Sequence, residues 1–584
     1  MGIPSYFRTI LENYPNVIYA NSKKKTDYFL IDFNSIIYNQ IPKVDIPKNG
    51  NKTKIQIENL IIKYTIAYLK HAICDFVKPQ KMIYFAFDGV APRAKMTQQR
   101  WRRFKTININ KFDDYLQNKY NLPKKVNFGS KDVSPGTKFM EKLSKRLQKE
   151  IKSGTFSTHT KNKLEYILSD SSIPGEGEHK YMNIIKNVTN KKENITVFSP
   201  DADVIVLSVS SNVNNIRILK TPQSEIEREH YPTQEFIYLD IDKFKKILFS
   251  GILEVNSSFD MNKIFIDYTF LTILEGNDFV IAVPYLKMIK DQMRTLMKTY
   301  RKILNKNKEY LIIVQKEKVS INRKFFIELL DEISKNEEKM LKNIQKRMHR
   351  TRKNRPPRRF EKEKDKEQHE IEKCRFEHEE YYSEYNPEYQ KYNKIFNKVN
   401  YFNENWKCDY YGHFLEIDCH NDKEYDMYLR KVCQNYIEAL IFNMEYYLFT
   451  SPAWRWHYRF RCAPCISDLL QYVKSVPTAL DINLDKSTPY TPLQQLFMIL
   501  PPQSKSYLPK KYGDLMVNEY SPLIQYFPID FELDVLAGEK FIYSEPILPE
   551  LNDTKILNEL VKIKLTKTEE RRNTLNKEPI VIVN

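Results

Sequence analysis

Short apolar runs alternate with longer segments of helical periodicity in the first part of the chain. The apolar runs are Tyr28–Ile31, Met82–Phe87 and Ile195–Phe198, and their length is typical of buried strands. Helical patterns cover Ile57–Val77, Arg100–Tyr120, Met140–Ile151 and Glu178–Val188. Strands separated by helices predict an α/β fold with a parallel, doubly wound sheet.

Each of the three predicted strands is followed by aspartate. Asp32 follows the first run, Asp88 the second, and Asp201 and Asp203 the third. Ligands of doubly wound sheets bind beyond the carboxyl ends of the strands, so these acids are candidate site residues. Asp201 and Asp203 are two positions apart, and on an extended chain their side chains face the same way.

Two further acids, Glu176 and Glu178, lie between glycines in the turn PGEGEH, just before a helical pattern. Acids at a helix start are often present only because they favour the helix dipole. From this stretch alone, that interpretation and a catalytic one are equally supported. On a regular helix the two side chains would diverge, so at least one is expected in the turn. The glycines are expected to let a phosphate or a metal ion approach the backbone.

The middle of the chain continues with helical patterns. A helix over Ile266–Glu275 leads into the sequence GNDF, which ends the helix and presents Asp278. The pattern stays helical to Ile333, and from residue 335 to 400 the chain is dense in charged residues and tyrosine. This segment is interpreted as a solvated linker, with disorder expected across Lys346–His369.

Order is predicted to return near Trp406, with a long helix over Tyr425–Phe449. The stretch Trp454–Arg461 then alternates aromatic residues with arginine or histidine. Such alternation suits stacking of bases beside phosphates, and it suits a half-buried strand with a basic face equally well. The proline-rich segments that follow predict a loop-laden end that wraps another domain.

Charge and cysteine usage narrow the class of protein. A formal net charge of +19 and a pI near 9.2 favour a polyanionic partner such as nucleic acid. Seven irregularly spaced cysteines favour a reducing compartment over a disulfide framework. The N-terminus lacks a signal-peptide pattern and no apolar run is long enough to span a bilayer, so an intracellular, soluble protein is expected.

The acids together indicate a metal centre. Seven carboxylates are predicted near strand or helix ends: Asp32, Asp88, Glu176, Glu178, Asp201, Asp203 and Asp278. Any one of them is more often a solvated loop charge, but chance does not readily place all seven there. Clustered acids repel one another unless cations bind, and hard oxygen ligands suit Mg²⁺ or Mn²⁺. Two such ions can hydrolyse a phosphodiester.

A basic cluster directly follows Asp88. Lys95, Gln99, Arg102 and Arg103 are spaced so that they share one helix face. Beside a metal site such a cluster would bind a phosphate group, and this interpretation is favoured over a plain basic surface.

These stretches resemble the XRN family of 5′→3′ exoribonucleases. The blocks that carry the resemblance are MGIPSYFR, IDFNSIIYN, FAFDGVAPRAKMTQQRWRRF, SDSSIPGEGEHKYM, PDADVIVL and LEGNDF, in the family's order. A second region is similar through WKCDYYGHF, AWRWHYRFRCAPCISDL, QQLFMILPPQSKSYLP and SPLIQYFPIDFELD. The resemblance covers nearly the whole chain except residues 335–400, and it suggests a short form of the family.

The resemblance implies a PIN/flap-nuclease-like catalytic domain with a mostly helical, loop-rich second region wrapped around it. Expected units are a catalytic domain at 1–290, a helical connection at 291–334, a charged insertion at 335–400 and the closing second region at 401–584. The seven acids correspond to the family's metal ligands for two Mg²⁺ or Mn²⁺ ions. Lys95, Gln99, Arg102 and Arg103 correspond to the pocket for an RNA 5′-monophosphate. Base stacking is expected from Tyr38, which stands where the family has histidine, and from Trp454 and Trp456.

Other positions depart from the family pattern. Ile281 and Ala282 replace a proline and a histidine, and Arg461 and Cys462 replace a histidine and a tyrosine. None of these changes removes an expected metal ligand, so translocation is more in question than the chemistry. Cys462 and Cys465 form a CxxC without a second pair at zinc spacing and are interpreted as ordinary thiols.

Three functions follow as hypotheses. The first is a processive Mg²⁺-dependent exonuclease that degrades 5′-monophosphorylated single-stranded RNA to nucleoside monophosphates. It is expected to be monomeric and cytoplasmic, with nuclear import through the basic run 346–359 as an alternative. A decapping or activating partner is compatible with this role. The alternative enzyme is a structure-specific flap nuclease on DNA, and the third hypothesis is a non-catalytic RNA-binding scaffold. Residue usage rich in Ile, Lys, Asn and Tyr suggests an AT-rich genome, such as that of a large DNA virus or a protist.

Overall fold

The computed structural model describes residues 6–20, 24–45, 49–121, 126, 128–157, 163–188, 192–252, 258–284, 286, 292–353, 373, 399–417, 419, 422–449, 453–476, 480–534 and 544–583. The strands are β1 (Ile18–Tyr19), β2 (Tyr28–Asp32), β3 (Met82–Ala86), β4 (Glu165–Ser169), β5 (Ile195–Phe198), β6 (Ile216–Lys220), β7 (Ile237–Asp240), β8 (Ile312–Gln315), β9 (Lys318–Ile321), β10 (Leu480–Asp481), β11 (Leu533–Asp534), β12 (Glu545–Pro546) and β13 (Ile580–Val583).

Helices surround these strands. The first ten are α1 (Tyr6–Asn13), α2 (Phe33–Val44), α3 (Lys54–Lys70), α4 (Arg93–Tyr120), α5 (Lys138–Lys152), α6 (Gly177–Asn187), α7 (Asp203–Ser210), α8 (Glu225–His230), α9 (Ile241–Ile247) and α10 (Met261–Ile273). The next ten are α11 (Gln292–Asn307), α12 (Arg323–Ser334), α13 (Glu337–Lys353), α14 (Trp406–Leu415), α15 (Asp422–Leu448), α16 (Ile466–Ser475), α17 (Pro492–Ile499), α18 (Lys510–Leu515), α19 (Asp553–Val561) and α20 (Lys567–Asn573).

The central sheet has eight strands in the order β1-β7-β6-β5-β2-β3-β4-β13. The five inner strands from β6 to β4 are parallel to one another, whereas β7, β1 and β13 add at the edges in antiparallel pairing. This arrangement confirms the predicted α/β class with a sheet that is mainly parallel. The predicted strands at Tyr28, Met82 and Ile195 are confirmed, and β2 lies between the other two.

Both faces of the sheet are covered, because successive side chains of each strand point to opposite sides. Leu30 and Tyr84 belong to one core, and Phe29 and Ile83 belong to the other. The second of these cores is closed by α2, α3 and α5. The first core continues without a break from α6, α7 and α10 into α15 and α16, so the later part of the chain packs directly on the sheet.

The long helix α4 is enclosed by the end of the chain. Val90 and Met96 pack into a third core made by α17, α19 and the segments between them. Arg93 pairs with Asp553 at 3.0 Å, and Arg100 donates to the carbonyl oxygens of Tyr526 and Pro549 at 2.7 and 2.8 Å. The proline-rich end therefore contacts the first part of the chain along this helix.

Several local predictions were wrong. The helical pattern predicted from Asp260 to Ile333 is interrupted by the antiparallel hairpin of β8 and β9. For the alternating stretch Trp454–Arg461, where a half-buried strand was one of two open interpretations, the described residues contain no strand. Strands β1, β4, β6, β7 and β13 were not predicted.

The charged segment begins as helix, because α13 extends to Lys353. The rest of the stretch for which disorder was expected, up to His369, lies outside the described residues.

Within the described residues, the cysteines divide into one disulfide pair and four free thiols. Cys408 and Cys419 form a disulfide with Cα atoms 5.6 Å apart, which was not predicted from the irregular spacing of the cysteines. Cys462 and Cys465 are buried free thiols, as predicted. No helix within the described ranges combines the length and the apolar character that crossing a membrane requires.

Candidate active site at the carboxyl edge of the sheet

The four predicted aspartates lie at one edge of the central sheet. Asp32 is the last residue of β2, and Asp88 follows the end of β3 by two residues. Asp201 follows β5, and Asp203 is the first residue of α7. Since β2, β3 and β5 are parallel neighbours, their carboxyl ends bring these acids to the same edge.

The PGEGEH turn adds two carboxylates to this edge. Glu176 precedes α6 in an extended conformation, with φ −73° and ψ 153°, and Glu178 lies in the first helical turn. The prediction that at least one of them lies outside the helix is therefore confirmed. The backbone N–H of Gly177 donates to Asp88 Oδ1 at 2.9 Å, which joins the turn to the end of β3.

A close approach between chain segments requires glycine at positions 89 and 177. A Cβ at Gly89 would lie 1.7 Å from the carbonyl oxygen of Ile173, and one at Gly177 would lie 3.0 Å from that of Ala86. Backbone hydrogen bonds also join the two segments, since Gly89 N donates to Gly175 O and Gly175 N donates to Val90 O, both at 2.8 Å. At Gly175, by contrast, the nearest atom to a built Cβ is Lys180 Cγ at 4.0 Å, and the approach of a phosphate or metal ion to the backbone there stays a prediction.

Asp278 is presented by a tight turn after α10. Gly276 has a φ of +88°, and a Cβ there would lie 2.7 Å from the backbone nitrogen of Ala282, so the turn requires glycine. Asn277 Oδ1 accepts the N–H groups of Phe279 and Val280 at 2.9 and 3.0 Å. This side chain fixes the turn that carries Asp278.

The acids are close enough to raise one another's pKa values. Burial first, and then Asp201 and Asp88, raise the pKa of Asp32 well above its ordinary value. Burial and Glu176 do the same for Glu178. Burial and Asp278 raise the pKa of Asp203 to about 7. The structure thus brings all seven predicted acids into one electrostatically linked group.

Lys95 of α4 lies among these acids. Its ammonium is 2.7 Å from Glu176 Oε1 and 2.6 Å from Asp278 Oδ2. Burial alone would lower the pKa of Lys95, but Asp278 and Glu176 raise it well above the ordinary lysine value. Burial likewise opposes the ionisation of Asp278, yet Lys95 lowers the pKa of that carboxyl to about 2.

The rest of the predicted phosphate-binding cluster follows along α4. Arg103 donates to Ser134 Oγ at 2.8 Å and to the carbonyl oxygen of Gln99 at 3.1 Å. Gln99 Oε1 accepts from Gln495 of α17 at 3.3 Å. Burial and the neighbouring Arg102 lower the pKa of Arg103 to about 9. Among the described residues, the Nε atoms of Arg102 and Arg103 are buried without a hydrogen-bond acceptor. A bound anion would supply that acceptor.

The residues predicted to stack on bases have different surroundings. Tyr38 of α2 is 37% exposed, and its hydroxyl interacts electrostatically with Arg102 and Arg103. It also interacts electrostatically with Asp88 and Asp32, so Tyr38 is near both the acids and the arginines. Trp454 accepts a backbone hydrogen bond from Arg93, the first residue of α4, at 2.8 Å.

The ring of Trp456 is stacked on Phe442 with centroids 4.7 Å apart, and its N–H donates to Glu438 at 3.2 Å. One face of this ring is thus covered by the second region. Base stacking stays a prediction for Tyr38, Trp454 and Trp456.

Sequence reasoning missed several side chains that hold the acids. Asn34 donates to Asp88 at 2.7 Å, and Ser199 donates to Asp32 at 3.1 Å. Asn34 lies two residues after the end of β2, and Ser199 directly follows β5. This position at a strand end was the sequence signal that could have identified them. Lys180 donates to the carbonyl oxygens of Phe87 and Asp170 at 2.7 and 3.1 Å, and burial lowers its pKa to about 7.

The donor set fits a hard divalent cation. Glu176, Glu178 and His179 each place one ligand atom within 4.8 Å of the others, and the remaining acids supply carboxylate oxygens. Burial and neighbouring acids raise the pKa values of Asp32, Glu178 and Asp203, so a positive charge is needed to keep these acids ionised together. Carboxylate oxygens in this number suit Mg²⁺ or Mn²⁺.

Comparison with protein-family models matches two parts of the chain to one family. Residues 1–222 match the family model described as the XRN 5′-3′ exonuclease N-terminus. Residues 258–385 and 359–584 match the model described as the Xrn1 helical domain.

Curated relatives extend along the full chain. It is 26% identical to 5′-3′ exoribonuclease 1 of Saccharomyces cerevisiae, over 100% of this chain and 45% of that protein. It is 27% identical to 5′-3′ exoribonuclease 1 of Homo sapiens, over 98% of this chain and 35% of that protein. For the 5′-3′ exoribonuclease 2 homolog of Drosophila melanogaster the identity is 24%, over 98% of this chain and 72% of that protein.

The chain thus spans less than half the length of the first two of these relatives. Their names do not favour the alternative of a structure-specific DNA nuclease.

Proposed function

This chain belongs to the XRN family of 5′-3′ exonucleases, and on that premise we propose that it degrades RNA from the 5′ end by metal-dependent hydrolysis. The substrate is single-stranded RNA with a 5′-monophosphate, and the products are nucleoside 5′-monophosphates. The observation that carries the proposal is the linked group of seven acids at the carboxyl edge of the sheet. This group lies beside Arg102 and Arg103, whose buried Nε atoms have no hydrogen-bond acceptor among the described residues.

The metal ligands of the proposal are Asp32, Asp88, Glu176, Glu178, Asp201, Asp203 and Asp278. They would hold two Mg²⁺ ions, with Mn²⁺ as a substitute. When bound, such ions lower the pKa of a bound water and stabilise charge on the leaving oxygen. The acids themselves are held ready by the hydrogen bonds from Asn34, Ser199 and the Gly177 backbone.

The basic cluster sets which phosphodiester is cut. Arg102 and Arg103 bind the 5′-phosphate through their guanidinium groups, and Lys95 and Gln99 complete the pocket. Because α4 carries both Lys95 and the arginines, the distance from phosphate to acids is fixed by one rigid helix. Tyr38 and Trp454 stack on the first bases of the RNA, and Trp456 supports this stacking surface.

Closure of the phosphate pocket by the second region explains why the substrate is an RNA with a 5′-monophosphate. Gln495 of α17 reaches both Gln99 and the backbone of Ala91, so the pocket is bounded on that side. On this proposal the pocket excludes a capped or triphosphorylated end by its size. The domains proposed from the sequence, at 1–290, 291–334, 335–400 and 401–584, and the PIN/flap-nuclease-like fold belong to the same proposal. So do a monomeric state and an intracellular location.

One assay tests the proposal. The full chain is incubated with end-labelled RNA bearing a 5′-monophosphate, triphosphate, hydroxyl or cap, with Mg²⁺ or with chelator, and the products are sized. Rapid, Mg²⁺-dependent release of mononucleotides from the monophosphate substrate alone is expected. Equal decay of the 5′-hydroxyl RNA would contradict the phosphate pocket. Cleavage of a DNA flap without decay of RNA would replace the proposal by the alternative nuclease.

A further inference from the structure

Helix α15 belongs to the second region, yet one of its faces reaches the acids. Asn443, Tyr446 and Tyr447 are three and four positions apart and so lie on the same side of the helix. Their exposed fractions are 0%, 1% and 2%. A face this deeply buried and this polar needs partners, since burying an unpaired polar group is costly.

The partner of Tyr446 is a predicted metal ligand. Its hydroxyl donates to Glu176 Oε2 at 2.9 Å, while Lys95 occupies Oε1 of the same carboxylate at 2.7 Å. The ring of Tyr446 also covers the ring of His179, with centroids 3.7 Å apart. The carboxylate plane of Glu176 is therefore fixed from two sides, one of which is supplied by the second region.

The partner of the other two side chains is the turn that presents Asp278. Asn277 Nδ2 donates to Asn443 Oδ1 at 2.9 Å and to the hydroxyl of Tyr447 at 3.1 Å. Asn277 Oδ1 in turn accepts the backbone N–H groups of Phe279 and Val280, as described above. One face of α15 thus contacts Glu176 itself and the turn that presents Asp278, two acids that are far apart in the sequence.

We propose that Tyr446 is a positioning residue of the metal site and orients Glu176 for cation binding. Because Tyr446 belongs to the second region, cation binding then requires that this region is docked on the sheet. The inference deepens the proposed function. Its effect on catalysis rests on that function, whereas its effect on metal binding does not. Groups that orient metal ligands in this way typically contribute 10- to 100-fold to metal affinity or activity. A phenylalanine would preserve the ring contacts and remove the orienting hydrogen bond.

The test compares Tyr446→Phe with Tyr410→Phe in the full chain. Tyr410 is a matched control, because its buried hydroxyl donates to a backbone carbonyl, that of Ala463, at 2.9 Å, and it lies in a core without any of the seven acids. Mn²⁺ affinity is measured on RNA-free protein by titration calorimetry, together with the melting temperature and the Mg²⁺ concentration that gives half-maximal decay of RNA.

We expect Tyr446→Phe to weaken Mn²⁺ binding by about 10- to 100-fold and to raise the Mg²⁺ requirement, while Tyr410→Phe binds Mn²⁺ like the wild type. Wild-type Mn²⁺ affinity in Tyr446→Phe, with a melting temperature shifted as in Tyr410→Phe, would overturn the proposal and leave a packing role. A wild-type chain that binds no Mn²⁺ would overturn it as well.

A second comparison separates orientation of Glu176 from general loosening. In a Glu176→Gln background, Tyr446→Phe is expected to change Mn²⁺ affinity no further, because the group that it orients is gone. Additive losses would contradict the inference. If wild-type protein binds Mn²⁺ but leaves 5′-monophosphorylated RNA intact, the proposed function fails, and the Mn²⁺ affinities still decide the role of Tyr446.

Discussion

Asp32 and Asp267 are both buried aspartates, with 5% and 0% of their surface exposed, but their neighbours are of opposite kinds. Asp267 of α10 accepts from the hydroxyl of Tyr300 and from the backbone N–H groups of Leu311 and Ile312, at 2.7, 2.9 and 2.7 Å. Asp32 accepts from Ser199 and faces the carboxyl groups of Asp88 and Asp201. One acid is surrounded by donors and the other by acids.

This difference is a better guide to function than the pKa. Burial raises the pKa of Asp267 to about 7, even though its three donors lower it, and burial also raises that of Asp32. A raised pKa therefore does not distinguish the two places. The donors of Asp267 already satisfy its carboxylate, so it has a structural role under the β8–β9 hairpin. The acids around Asp32 leave a negative charge that a cation would balance.

The largest effect is expected from removing an acid of the site. Glu178→Ala, and likewise Asp201→Ala, should lower the rate of RNA hydrolysis on the order of 10³-fold, because charge stabilisation at the reacting phosphate is lost. RNA binding should survive, and the melting temperature should not fall, since mutual repulsion is relieved. Decay rates, filter binding and thermal melts of each variant check this.

The matched control is Asp267→Asn, which alters a buried acid without touching the site. It should hydrolyse RNA at the wild-type rate per folded molecule. Full activity in Glu178→Ala or Asp201→Ala would refute the assignment of metal ligands.

The next largest effect is on stability and concerns the other region. Asp267→Ala leaves the N–H groups of Leu311 and Ile312 and the hydroxyl of Tyr300 without their acceptor. Each buried donor that is left unsatisfied costs about 1–3 kcal/mol. The midpoint of urea unfolding should fall accordingly, whereas that of Glu178→Ala should not. Equal stability of the two alanine variants would remove the distinction between the regions.

The acids of the site were predictable because each one ends a local pattern. Asp32 and Asp88 end apolar runs, and Asp278 ends a helix at a glycine, so neighbouring residues carried the signal. The supports of these acids were not predictable in this way. Lys95 and Asp278 are 183 positions apart, and Tyr446 and Glu176 are 270 apart, so no local pattern links them.

The fold shows the same limit. The inner strands at Tyr28, Met82 and Ile195 read as continuous apolar runs, because both of their faces are buried. The hairpin of β8 and β9 was missed because its turn lacks the usual glycine or asparagine, and Lys316 itself adopts the left-handed φ of 57°. The edge strand β13 is mostly exposed and pairs with β4, more than 400 positions earlier in the chain.

A smaller effect is expected when metal is added. Mg²⁺ or Mn²⁺ that binds only the folded protein stabilises it by about 3 kcal/mol at 100 times its dissociation constant. The melting temperature of the wild type and of Asp267→Asn should rise on addition of either ion. That rise should be much reduced in Glu178→Ala. An equal rise in all three proteins would place the bound cation away from the acidic edge.

The smallest effect is a pH dependence that belongs to Asp267. Its pKa is about 7 in the folded protein and about 4 in an unfolded chain, so folding takes up a proton between these values. Its contribution to stability is therefore fully present below pH 4 and is lost as the pH rises through 7. Between pH 6 and pH 7 the wild type should lose about 1 kcal/mol relative to Asp267→Asn, which has no such proton.

The metal-site acids do not obscure this difference. Asp203 also has a pKa of about 7, but it is present in both proteins and cancels when their unfolding midpoints are subtracted. The experiment is run without divalent cations, so that cation binding adds no pH dependence of its own. A flat difference between pH 6 and pH 7 would mean that the three donors keep Asp267 ionised throughout. In that case its carboxylate would be a fully compensated charge, and the contrast with the acidic edge would be sharper still.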